Sequence, residues 1–139
     1  MGKNAKTLTR SQSAIEKEKY LKEMEPLLSV KVIKKIDNSK SIKIGFIKKG
    51  NKHLYSDTFG RTEGLQKSDL KNLDKALDKA VFVRSAVLSK GRKDGISKFY
   101  YFKDENKKLY YNVAERRRKR TDGSEEIYRF LYSVTATIK

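Results

Sequence analysis

The chain has 139 residues, 34 lysines and arginines against 17 acidic side chains, a formal charge of +17, one histidine and no cysteine. That length fits one domain with an N-terminal extension, and the lack of cysteine excludes disulfides, thiolate metal sites and cysteine nucleophiles. No apolar run approaches the ~18 residues of a membrane span, and the opening "MGKNAKTLTR" lacks the apolar core of a signal peptide, so neither a membrane partner nor an export address is expected.

In chain order, residues 1–10 read as a disordered basic tail. Residues 11–25, "SQSAIEKEKYLKEME", read as a helix: Ser11 or Ser13 can cap it, Ile15, Tyr20, Leu21 and Met24 form a thin apolar stripe, and Pro26 ends it. "LLSVKVIKKI" and "SIKIGFI" alternate apolar and polar residues around the turn residues "DNSK", which predicts a hairpin within 28–47 packed on a sheet. "KKGNKHLYSDTFGR" then reads as a loop. Residues 66–79 read as the clearest helix, with Leu70, Leu73, Ala76 and Leu77 on one face. Four strands follow at 80–88, 96–103, 108–115 and 127–138, joined by turn-like segments that favour antiparallel neighbours. The fold class is therefore α+β: an N-terminal helix and hairpin, a second helix, then a four-stranded antiparallel sheet. The division expected is 1–10 tail, 11–47 helix-plus-hairpin extension and 48–139 core.

The charge excess is spread along the chain and points to a polyanion, with nucleic acid first, because phosphate neutralisation supplies most of such binding. One histidine and no cysteine cannot build an ordinary zinc site, and no carboxylate cluster suited to magnesium is visible; His53 and Asp57 could share a face, but two ligands do not make a site. No phosphate-binding glycine loop occurs. No metal and no cofactor are expected.

Metal-free RNA cleavage needs less, because RNA carries its own 2′-hydroxyl nucleophile. It requires a base, an acid and cations around the charged phosphorane. His53 has Lys52 beside it and Tyr55, Ser56 and Thr58 close by. Arg84 lies in an apolar strand and Lys98 between Ile96 and Tyr100. Strict alternation in the last strand sends Leu131, Ser133, Thr135 and Thr137 one way, a stripe of hydroxyls, and Tyr132, Val134, Ala136 and Ile138 the other. Tyr100 of "FYYF" and Tyr111 of "LYYN" offer base stacking. Arg92, Arg116 and Arg117 offer phosphate contacts. Each feature also has a structural reading: a surface histidine, the wet side of a strand, core tyrosines and a solvated run of charge.

The order of "KKGNKHLYSDTFGR", "KSDLKNLDKALDKAVFV", "RKDGISKFYYFKDENKKLYYNVAE" and "RFLYSVTATIK" resembles the barnase–EndoU–colicin–RelE superfamily of ribonuclease folds, in its small phage and polymorphic-toxin members. The likeness spans roughly 48–139. It implies His53 as acid or base with Lys52 near it, Ser133 and Thr135 orienting phosphate, and Arg84 or Lys98 offsetting phosphorane charge. A two-histidine mechanism, as in the EndoU branch, is excluded by the single imidazole. A lysine, a tyrosine or the substrate must supply the second proton transfer. The resemblance further implies a toxin domain cut from a larger protein and acting in the cytoplasm, structured RNA such as tRNA as substrate, and an acidic immunity protein as partner; a monomer is expected. Two other readings stand beside it: a non-catalytic nucleic-acid-binding module of a phage or mobile element, and a domain that docks an acidic protein.

Overall fold

The computed structural model describes residues 2–59, 62–88 and 95–138, with side chains from residue 12 onward. Helix α1 runs Gly2–Met24, so the helix expected from residue 11 begins earlier, within the stretch read as a tail. Pro26 stops it as expected, at the start of a 3-10 turn over Glu25–Ser29 that buries Leu27. Strands β1 (Val32–Lys35) and β2 (Ser41–Ile44) form the hairpin. Its turn is held by Asp37, whose Oδ1 accepts the Ser39 N–H at 2.8 Å. Lys34 Nζ donates to Asp78 O at 2.6 Å and so ties β1 to the third helix; partial burial pushes its ammonium pKa down.

The stretch read as a loop is instead a helix, α2, over Lys48–Asp57. Its turn-forming residues are what the packing requires: Gly50, Asn51 and Asp57 are buried along with Leu54 and Tyr55. The second predicted helix is a 3-10 turn over Lys67–Asn72 followed by α3 (Leu73–Lys79). It starts with a capping box in which Asp69 Oδ2 accepts the Gln66 N–H at 3.0 Å. Strands β3 (Val81–Val87), β4 (Ile96–Asp104), β5 (Leu109–Lys119) and β6 (Glu125–Thr135) form one antiparallel sheet in sequence order. Among the described residues no helix is long and apolar enough to cross a membrane.

The helices and the hairpin cover one face of the sheet. Met24, Leu27, Ile42, Ile44, Leu54 and Leu77 share a single core with Tyr100, Phe102, Tyr111, Val113, Leu131 and Val134. The hairpin joins the sheet through Gly45, whose N–H donates to Arg129 O at 2.8 Å and whose carbonyl accepts the Leu131 N–H at 3.1 Å. The other face carries a second cluster of Ile96, Phe99, Tyr101, Ala114 and Phe130, with Tyr128 and Tyr132 packed against it.

Gly50 lets α2 lie directly on β6. A Cβ there would stand 3.0 Å from Leu131 O and 3.3 Å from Phe130 Cδ2. The carbonyl belongs to a strand pinned on both sides, so it cannot yield. Gly50→Ala is therefore expected to lower stability by about 1–2 kcal/mol in urea unfolding, although helix propensity alone favours alanine by about 1 kcal/mol.

Candidate active site

His53 sits in the second half of α2, where the helix crosses the end of β6. Its ring packs on Tyr132, with centroids 4.7 Å apart and planes tilted by 31°. Its side chain keeps 35% of its surface exposed. One helical turn on, Asp57 places Oδ1 3.9 Å from His53 Nε2. That is too long for a hydrogen bond but close for a charge contact. The other oxygen, Oδ2, accepts the Val134 N–H at 3.1 Å, so the carboxylate is fixed to the sheet edge. Tyr132 in turn meets Phe99 edge-on at 5.4 Å. The imidazole is thus seated between a fixed carboxylate and a fixed ring.

His53 opens onto a cleft of about 440 Å³. Among the described residues its walls carry four cations, Lys17 from α1, Lys49 and Lys52 from α2 and Arg116 from β5, and no carboxylate. The size lies within the ~300–1,000 Å³ range of small-ligand sites. A cleft with that lining concentrates anions. The Ser56 hydroxyl at its rim donates to Lys52 O at 3.1 Å. Among the described residues no group of three His, Cys, Asp or Glu could hold a metal ion.

The structure brings together His53, Lys52, Ser56 and Arg116, with Asp57 against the imidazole. Of the other candidates, those among the described residues lie elsewhere. Strict alternation fails in β6 because of a β-bulge: Val113 pairs with Leu131 but Asn112 with Ser133, leaving Tyr132 as the extra residue. A bulge shifts every later side chain to the opposite face. Leu131, before the bulge, and Val134, after it, therefore both enter the helix-covered core, while the hydroxyls of Ser133 and Thr135 turn to the other face and accept from Asn112 Nδ2, at 3.0 and 2.8 Å. The Thr135 hydroxyl donates to Thr137 O. Ser133 is 1% exposed, Thr135 half-buried and Thr137 exposed, so the expected hydroxyl stripe is an amide–hydroxyl network centred on Asn112. Ser133→Ala is expected to cost about 1 kcal/mol in thermal or urea unfolding, because Asn112 keeps Thr135 as a second acceptor.

Lys98 and Tyr100 lie on the helix-covered side. Tyr100 is buried; its hydroxyl donates to Glu115 Oε1 at 2.9 Å, and Lys98 Nζ stands 4.9 Å from its ring centre. Glu115, itself buried, also accepts from Arg129 Nε at 2.9 Å. Tyr111 is in the core, its pKa pushed up by burial and then by the Asp104 and Asp69 carboxylates. Neither tyrosine offers a face to a base. Arg84 stands at the opposite edge of the sheet from β6, its guanidinium 5.1 Å from the Tyr101 ring centre. Arg117 pairs with Glu125 at 3.7 Å. Arg92 lies outside the described residues.

Lys49, Lys52, His53 and Ser56 follow the 3–4 spacing of one helix face, a signal that appears only once 48–57 is read as helix. Tyr132 depends on the bulge, which no local sequence pattern announces. No family model, curated protein or solved structure matches the chain.

Proposed function

We propose that this domain is a metal-independent endoribonuclease and that His53 moves a proton in its reaction. The observation that carries the reading is the convergence of the imidazole with Lys17, Lys49, Lys52 and Arg116 on one cleft. The resemblance to ribonuclease folds of the barnase–EndoU–colicin–RelE type, and the antiparallel sheet against which the cleft is built, agree with it.

In this reading a phosphate of the RNA backbone sits among Lys17, Lys49, Lys52 and Arg116. His53 takes the proton from the adjacent 2′-hydroxyl. The 2′-oxygen bonds to phosphorus, the bond from phosphorus to the 5′-oxygen breaks, and a cleft lysine protonates that oxygen. The products are a 2′,3′-cyclic phosphate and a 5′-hydroxyl. Arg116, which forks two N–H groups toward an anion, offsets the extra charge of the phosphorane. Asp57 and Tyr132 act through His53, by position. Ser133, Thr135, Lys98 and Arg84 have no part in this scheme. A structured RNA such as tRNA is the substrate class, and a toxin acting in the cytoplasm under the control of an acidic immunity protein is the biological setting that the resemblance suggests.

The test is incubation of the protein with total tRNA in EDTA, beside the His53→Ala variant. Fragments from the parent alone support the reading. Steeply salt-dependent binding without fragments would replace it with a non-catalytic binding module.

A further inference from the structure

The two edges of the sheet are treated differently. The outer edge of β6 is covered along its second half: Gly45 pairs with it, Asp57 accepts the Val134 N–H, and the Thr62 hydroxyl donates to Val134 O at 2.7 Å. The outer edge of β3 has no such cover among the described residues. Five of its seven residues are exposed. They include Val81 at 56%, Val83 at 44% and Val87 at 80%. An edge strand presents a row of free N–H and C=O groups, and exposed β-branched side chains favour the addition of another strand. The one charge within β3 is Arg84, at its centre.

Charge decides what fits there. Lys79 precedes the strand, and its β4 neighbours place Lys103 beside Val81 and Lys98 beside Val87. A second copy is disfavoured: antiparallel self-pairing about the strand's midpoint sets Arg84 against Arg84 and joins two chains of charge +17. We propose that β3 is a docking edge, completed as a fifth strand by an extended segment of an acidic protein that sets apolar side chains against the valines and a carboxylate against Arg84. The proposal does not depend on RNA cleavage.

The test is a titration of the isotope-labelled full chain, followed by amide NMR shifts, with three acetylated peptides. One alternates valine and glutamate, one alternates valine and lysine, and one is the glutamate peptide N-methylated along one edge. The glutamate peptide is expected to produce saturable shifts centred on Val81–Val87, and the lysine peptide none. N-methylation is expected to weaken binding by about tenfold or more, because it removes several backbone hydrogen bonds at once. Arg84→Glu, at an exposed position, is expected to reverse the preference toward the lysine peptide. Shifts centred on the His53 cleft, indifference to N-methylation, or self-association through β3 would each overturn the proposal.

Discussion

His53→Ala is expected to slow RNA cleavage by about 10²–10⁴-fold, the usual contribution of a positioned general acid or base. The same substitution is expected to change stability by no more than about 1 kcal/mol. The imidazole is over a third exposed, and the partner that matters to the fold does not go with it: Asp57 keeps the Val134 N–H, and Tyr132 keeps Phe99. Initial rates on tRNA, set beside a urea curve, separate the two effects. A variant that unfolds would show His53 to be structural, and one that cleaves at the parent's rate would remove it from the mechanism.

The largest expected loss of stability comes from the other side of the sheet. Arg129→Met is expected to cost about 3 kcal/mol, the lower end of the range for breaking a buried ion pair from one side, because Glu115 is buried while Arg129 keeps 24% of its side chain exposed. Glu115 is 5% exposed, and its Oε1 is held by Arg129 Nε and the Tyr100 hydroxyl, both at 2.9 Å. Without the guanidinium, a buried carboxylate keeps one neutral donor. Glu115→Gln combined with Arg129→Met should recover part of the loss, since the uncompensated charge is then gone. Urea midpoints of the two single variants and the double variant measure this directly. A loss under about 1 kcal/mol for Arg129→Met would mean that the pair is solvated and adds little.

What was legible in the sequence follows from how local each feature is. The hairpin, the α3 region and the four strands announce themselves because their apolar spacing and turn residues are set within a few positions. The α2 helix was hidden because Gly50, Asn51 and Asp57 are turn formers by preference. Here they serve packing: glycine allows the close approach to β6, and Asp57 caps an edge N–H 77 positions away along the chain. The faces of β6 depart from the simple alternation for a related reason. A single bulge at Tyr132 reverses the alternation beyond it, and it is visible only in the pairing with β5. Tyr100, Tyr111 and Glu115 lie in stretches that look like nucleic-acid contacts, yet the strands turn all three inward. His53, Lys52 and Arg116 come together through a helix and a neighbouring strand, not through hydroxyls of the last strand. The extension drawn at 11–47 contributes Met24, Leu27, Ile42 and Ile44 to the same core as the sheet, and Lys17 to the cleft.

End-group analysis of RNA treated with the protein in EDTA tests the central claim most directly. Fragments ending in a 2′,3′-cyclic phosphate and beginning with a 5′-hydroxyl, formed by the parent and lost in His53→Ala, are the expected result. Intact RNA, or fragments with 5′-phosphates that appear only when a divalent cation is added, would contradict it.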